Sequence, residues 1–340
     1  MTIDLRSDTL TRPTPAMLEA MMTAEVGDDV FGEDPTVNAL EQKCAEWFGM
    51  DAAIFCPSGT MTNQIGINVL SSPYEEVICY EGAHIYKYEG GGVAGNSGLS
   101  FRLLKGDRGR LNIEEILTNI NPDNEHFPKT TIVELENTVN KGGGSYYTLD
   151  KIKQISRPCK ERSLKMHLDG ARLFNALVET GDSPKDYGKH FDTISICLSK
   201  GLGAPVGSVL IGKDHLIRQA RRVRKFFGGG MRQAGYLAAA GMYALEHHVE
   251  RLKEDHVRAR EIGKVLEEQS YVSKALPVDT NIVIFELVHD LPADQFLARL
   301  MEHDVKAVPF GPTEVRFVTH LDFDDHMLER TIDVLKRLTF

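Results

Sequence analysis

The stretch Asp192-Thr-Ile-Ser-Ile-Cys-Leu-Ser-Lys-Gly-Leu-Gly-Ala-Pro-Val-Gly207 holds the residue with the most evident chemistry, Lys200. The apolar run from Thr193 to Leu198 reads as a buried strand that stops at Ser199-Lys200 and opens into a glycine-rich turn. A lysine delivered by the end of a hydrophobic strand has an amine that is readily desolvated, and such an amine can form a Schiff base with an aldehyde. Taken alone, a surface lysine at the start of a loop explains the same spacing. A dinucleotide loop explains it less well. That motif needs glycines that open a helix and an acidic residue about 20 positions later. Here Pro205 and the apolar run from Ser208 to Ile211 point to a second strand, and Asp214 comes too early.

Two further stretches place polar groups where strands should end. Ser58-Gly59-Thr60 lies between an apolar strand and a helix, where free amides and the positive helix end suit a phosphate. An ordinary capped helix start fits these residues equally well. In His167-Leu-Asp169-Gly-Ala-Arg172 the aspartate ends a strand 31 residues before Lys200. It could cap a turn or hold a proton on a buried nitrogen base. A phosphate turn, a strand-end aspartate and a later strand-end lysine are together the protein parts that pyridoxal 5'-phosphate (PLP) requires. No metal-ligand set is expected.

The elements that must position these groups alternate along the chain. Strands are expected at 52–56, 77–80, 101–104, 131–135, 164–168 and 193–198. Helices are expected at 17–24, from Pro35 past Phe48, from Ser58 to about Leu70, and at 113–120 and 149–156. This order predicts an α/β fold with a mainly parallel sheet covered by helices, which binds ligands beyond the carboxyl ends of its strands. After Gly230 the pattern changes. A long helix from Met231 to about Gln269, broken or bent near Gly241 to His248, leads to strands at 281–287 and 314–318 and helices at 293–303 and 324–338. The expected organisation is an N-terminal arm (1–15), a large domain (16–248) and a smaller C-terminal α+β domain (249–340).

Composition narrows the class. With 340 residues, 42% of them hydrophobic, the chain can bury one large core and a smaller one. No run approaches the ~20 apolar residues of a membrane span, and Met1-Thr-Ile-Asp-Leu-Arg6 lacks the pattern of a signal peptide. Five cysteines without paired spacing fit a reducing cytoplasm. A net charge of −10 argues against nucleic acid as partner, although Arg218 to Lys225 forms a basic cluster just before Gly228-Gly-Gly230. That cluster suits a solvated helix face and an anion site equally.

Ten stretches in order resemble the low-specificity L-threonine aldolases, fold-type I PLP enzymes, nearly end to end. They are Leu5-Arg-Ser-Asp-Thr9, Val26-Gly-Asp-Asp-Val30, Asp34-Pro-Thr-Val-Asn-Ala-Leu40, Ala83-His84, His126-Phe127, Glu136-Asn-Thr138, His167-Leu-Asp-Gly-Ala-Arg172, Cys197 to Ser208, Gly228-Gly-Gly-Met-Arg-Gln233 and Val315 to Asp322. The resemblance implies a large domain with a seven-stranded sheet and retro-aldol cleavage of L-threonine or L-allo-threonine to glycine and an aldehyde. Residue by residue, it makes Lys200 the Schiff-base lysine and Asp169 the partner of the pyridinium nitrogen. Ser58, Gly59 and Thr60 become phosphate ligands, helped by Lys225 and Arg232 from a neighbouring subunit, with Arg172 also near the cofactor. His84 would stack on the ring and position the base or water for the substrate hydroxyl, with His126 near that hydroxyl. Ser7, Arg172 and Arg316 would hold the substrate carboxylate. A homodimer is implied as the catalytic unit, assembling into a tetramer. The sequence departs from common relatives at Val139, where many have histidine before a shorter loop, and at Tyr88, often phenylalanine.

Overall fold

The computed structural model describes residues 2–340. Seven segments form one sheet: β1 (Ala52–Cys56), β2 (Glu76–Tyr80), β3 (Ser100–Leu104), β4 (Thr130–Glu136), β5 (Lys165–Gly170), β6 (Thr193–Cys197) and β7 (Ser208–Gly212). Their spatial order is β1-β7-β6-β5-β4-β2-β3. Neighbours from β6 through β3 pair in parallel, and β7 runs antiparallel to both β1 and β6. The reversal follows from the short turn around Lys200, because an antiparallel return needs no crossover helix. Leu198 N–H donates to the Gly207 carbonyl at its base, at 3.0 Å. β6 and β7 are buried throughout, as central strands covered on both faces must be. The carboxyl ends of β1, β2, β4, β5 and β6 therefore share one edge, and Ser58, His84, Glu136, Asp169 and Lys200 all fall at it.

Helix Gly235–His247 runs unbroken through Gly241, the first residue of the stretch 241–248 where a break or bend is expected. The glycine serves close packing instead: a Cβ there would meet Leu198 at 2.7 Å and Leu40 at 3.2 Å. The break comes at the far end of that stretch, at 248–251, before helix Leu252–Glu267.

Beyond it, β8 (Val272–Ala275), β9 (Ile282–Leu287), β10 (Val308–Pro309) and β11 (Glu314–Val318) form an antiparallel sheet in the order β10-β11-β9-β8. Helices Leu252–Glu267, Ala293–Met301 and Asp325–Arg337 bury their apolar residues in a second core with the inward side chains of this sheet. The N-terminal arm belongs to this layer at its first strand. Ile3–Asp4 pairs in parallel with Val305–Lys306, and Ile3 and Leu5 are fully buried in the second core. From there the arm crosses to the edge of the large sheet.

Candidate active site

At the edge, Ser58 caps helix Gly59–Asn68, its Oγ accepting from Met61 N–H at 3.2 Å. The helix start, with Thr60 exposed, points its free amides at the sheet edge. A Cβ on Gly59 would lie 2.5 Å from Cys197 Sγ, so the close approach of this helix to β6 requires glycine. The same sulfur is 3.7 Å from Lys200 Nζ. Cys197 thus joins the amide cup to the lysine.

Behind them lies a closed polar network. Asp169 is buried at the end of β5, and its Oδ1 accepts from Ala171 N–H at 3.0 Å. Asn63 Nδ2 donates to Asp169 Oδ2 and to Glu89 Oε1, each at 2.9 Å. With both amide hydrogens so used, Asn63 Oδ1 must accept from His167 Nε2 at 3.1 Å, which fixes that ring's tautomer and leaves Nδ1 to accept from Thr193 Oγ1 at 2.8 Å. Burial pulls His167 down to about 4, the Asp169 charge opposing weakly, so it stays neutral at physiological pH. Glu89 also accepts from His84 Nδ1 at 2.9 Å. Burial lowers the His84 pKa, but the Glu89 hydrogen bond and the Asp169 and Glu89 charges outweigh it, and the net shift is upward. Glu136, fully buried, is shifted upward by burial and by Asp169 while it accepts from the backbone N–H groups of His84 and Asn140. The donor atoms of His84, Glu89 and Asp169 gather within 4.8 Å of one another, and the hydrogens of this network already engage the two carboxylates.

In front of the network is a cavity of about 460 Å³ lined by Ser7, His84, Tyr88, Arg172, Lys200 and Arg316, with Thr9, Asn140, Lys141 and residues 308–310 completing it. Five side chains singled out from sequence (Ser7, His84, Arg172, Lys200 and Arg316) meet here from the arm, the large sheet and the small sheet. Ser7 Oγ accepts from Thr9 N–H and Thr9 Oγ1 at 3.2 and 2.8 Å. The two arginines differ. Arg172 turns its fork to buried Asp8, with Nε–Oδ2 2.7 Å and Nη2–Oδ1 2.6 Å. Burial would raise the Asp8 pKa, but the Arg172 charge and hydrogen bonds overcome this and hold it at about 2. Arg316 donates only to neutral oxygens, Asn140 Oδ1 at 2.8 Å and the Arg6 carbonyl at 3.0 Å. Its buried Nε has no hydrogen-bond partner. Burial and the nearby Arg172 charge push Arg316 down to about 10 against the opposing Asp8 charge, and no carboxylate accepts a hydrogen bond from it.

Three expected site residues stand elsewhere in the chain. His126 is exposed on the loop before β4, at the amino end of the sheet, where its N–H donates to Asn124 Oδ1. Lys225 lines a separate cavity with Asp29, Arg221 and Arg224, and Arg232 pairs with Asp28 at 2.9 Å. Within the basic cluster Arg224 is buried against Asp29, while Lys225 remains open to the cavity. Val139 is fully buried in the large core, and its loop reaches the pocket through Asn140 and Lys141 instead. Sequence reading did not single out Asp8, Asn63 or Glu89. Asp8 lies inside the Leu5-Arg-Ser-Asp-Thr9 stretch and Glu89 precedes Gly90-Gly-Gly92, but Asn63 carries no local signal.

The residues at this edge fit PLP. A glycine-dependent amide cup adjoins a strand-end lysine, and a buried aspartate whose two oxygens each accept one hydrogen bond, leaving acceptor capacity on both, ends the neighbouring strand. Comparison with known proteins agrees in fold and lineage. The profile of the beta-eliminating lyase family matches residues 4–290. The low-specificity L-threonine aldolase of Escherichia coli strain K12 is 43% identical over 327 residues, 96% of each chain. The low-specificity L-threonine aldolase 1 of Arabidopsis thaliana is 38% identical over 94% of this chain and 91% of its own. The solved threonine aldolase of Leishmania major superposes with a TM-score of 0.86 over 98% of this chain and 99% of its own, at 24% identity, a likeness of fold. The chain belongs to the beta-eliminating lyase family, among its low-specificity L-threonine aldolases.

Proposed function

We propose that the protein is a PLP-dependent aldolase that reversibly cleaves L-threonine, L-allo-threonine and related β-hydroxy-α-amino acids to glycine and an aldehyde. The observation that carries this reading is the convergence of Lys200, His84 and an anion-deficient Arg316 on one cavity, with Asp169 buried behind it. PLP bound there supplies the electron sink for the pair released from the Cα–Cβ bond. Lys200 anchors the cofactor, the Ser58-Gly59-Thr60 amides hold its phosphate, and Asp169 keeps the proton on its ring nitrogen.

The chain's own residues then select which bond breaks. Arg316, aided by Ser7 and by the edge of Arg172 that Asp8 leaves free, grips the α-carboxylate and sets the rotation about Cα. His84 donates Nδ1–H to Glu89, so its Nε2 faces the hydroxyl as acceptor, directly or through one water. A group so placed contributes roughly 10²–10⁴ in rate.

Completion of the site needs a second copy of the chain. His126, Lys225 and Arg232 lie outside the cavity at Lys200 and would serve such a cavity in a neighbouring copy, and Phe31 and Phe226 are exposed near the Lys225 cavity, a face suited to cover. We read the dimer as the catalytic unit and a tetramer as the assembly. Among the described residues no helix is long and apolar enough to cross a membrane, and five free, buried cysteines suit the cytoplasm.

The test is aldehyde release by the PLP-loaded protein from L-threonine, L-allo-threonine and D-threonine in separate assays. Acetaldehyde and glycine from an L isomer are expected. A PLP-loaded protein that releases none from any of the three contradicts the reading.

A further inference from the structure

We propose that the pocket is built for β-hydroxy-α-amino acids that carry a second carboxylate on the β-carbon, and that Lys141 is the specificity residue that holds it. The proposal rests on the aldolase reading above.

The residues lining the cavity include four cations, Lys141, Arg172, Lys200 and Arg316, and no carboxylate. Three have assigned partners: Asp8 for Arg172, the cofactor for Lys200 and the substrate α-carboxylate for Arg316. Lys141 is left over. Among the described residues it has no acidic partner. Its Nζ donates to the Phe310 carbonyl at 3.3 Å and lies 3.5 Å from the centre of the Phe310 ring. The Arg316 guanidinium lies 5.0 Å from the same ring, so two cations without carboxylates flank one aromatic side chain at the pocket wall.

Lys141 is also held in place. Before it, Asn140 N–H donates to buried Glu136 at 2.8 Å and Asn140 Oδ1 accepts from Arg316 at 2.8 Å. After it, the Gly142 carbonyl accepts from Arg108 Nε at 2.9 Å, and Arg108 is itself paired with Asp279 at 2.7 Å. Clamped on both sides, this loop presents the ammonium to the cavity at little entropic cost on binding.

A threonine methyl leaves that half-buried charge unmatched, whereas a β-carboxylate meets it. A single ammonium already bonded to one carbonyl suits a carboxylate better than a phosphate, whose charge and geometry call for more donors. With L-3-hydroxyaspartate the Cα–Cβ bond breaks and the hydroxyl loses its proton. Cβ becomes the aldehyde carbon of glyoxylate. The bond's electron pair stays with Cα, which takes up a proton to give glycine.

The experiment compares holoenzyme, Lys141→Met and Lys141→Arg in two assays. One is the ratio of kcat/KM for L-3-hydroxyaspartate to that for L-threonine. The other is calorimetric binding of L-aspartate and its neutral counterpart L-asparagine, neither of which can undergo the cleavage. Loss of one charge-assisted bond predicts a roughly ten- to hundredfold fall in the substrate ratio and in aspartate affinity relative to asparagine for Lys141→Met. Lys141→Arg is expected to keep most of both. An unchanged ratio, or aspartate and asparagine affinities that fall together, overturns the proposal. If no variant cleaves threonine yet aspartate binding still depends on Lys141, the aldolase reading falls and the assignment of Lys141 as the carboxylate-binding residue survives.

Discussion

On the sheet side of the pocket, Asp169, Glu89, Asn63 and His167 use each other's donors and acceptors almost completely. On the side facing the small sheet, Arg316 and Lys141 flank the Phe310 ring and donate only to carbonyl and amide oxygens. Arg172 stands between them and belongs to the first group, because Asp8 neutralises it. The contrast separates structure from recognition. A buried network that is satisfied internally is rigid and holds a cofactor in one orientation. Cations left unmatched at a cavity wall gain most when an anionic ligand arrives, and we propose that substrate charge is read on that side.

Asp8→Asn leaves the Arg172 guanidinium buried without its counter-charge and should lower stability by about 3–5 kcal/mol. Because Asp8 is depressed from an ordinary 3.8 to about 2, its contribution is present above pH ~4 and is lost as pH falls through 2. Melting curves of wild type and variant should therefore differ most at neutral pH and converge toward pH 2. A constant gap across that window removes the ion pair from the account.

Arg316→Leu tests the open side. It should weaken turnover roughly ten- to hundredfold, chiefly through KM, with little loss of stability, since the native guanidinium is itself short of partners. Steady-state kinetics and a melt on the same sample check both halves. A variant that unfolds while the surviving fraction keeps its KM would make Arg316 structural.

The smallest effect tests the seam between the two sides. Glu89→Gln removes the negative partner that helps raise His84. The His84 pKa should then fall, and the acid limb of the kcat/KM profile should move to lower pH, because the ring is neutral over a wider range. An acid limb that stays in place means that another group controls it.

Much of this was legible in the sequence, for reasons that are local. The alternation of apolar runs and turns gives the sheet, and Ser58, Asp169 and Lys200 follow from strand ends followed by turns. What escaped depends on distance. Asp8 meets a guanidinium 164 positions away, and Asn63 touches Asp169 106 positions on. Neither residue has a spacing that sets it apart. Gly241 invited a helix break because sequence cannot separate a glycine that bends from one that makes room for Leu198 and Leu40. Val139 drew attention as a departure in a pocket-side loop, but its apolar side chain is buried and the polar neighbours do the lining. His126 lies on an exposed loop at the far end of the sheet, and nothing in its local sequence tells that end from the pocket end.

The central claim is that Lys200 anchors PLP in this cavity. The direct measurement is borohydride reduction of the PLP-loaded protein followed by peptide mass spectrometry, with Lys200→Ala in parallel. A phosphopyridoxyl mass is expected on the peptide containing Lys200, and Lys200→Ala is expected to lose both this label and acetaldehyde release from threonine. A label on another lysine, or threonine cleavage that persists in Lys200→Ala, would contradict it.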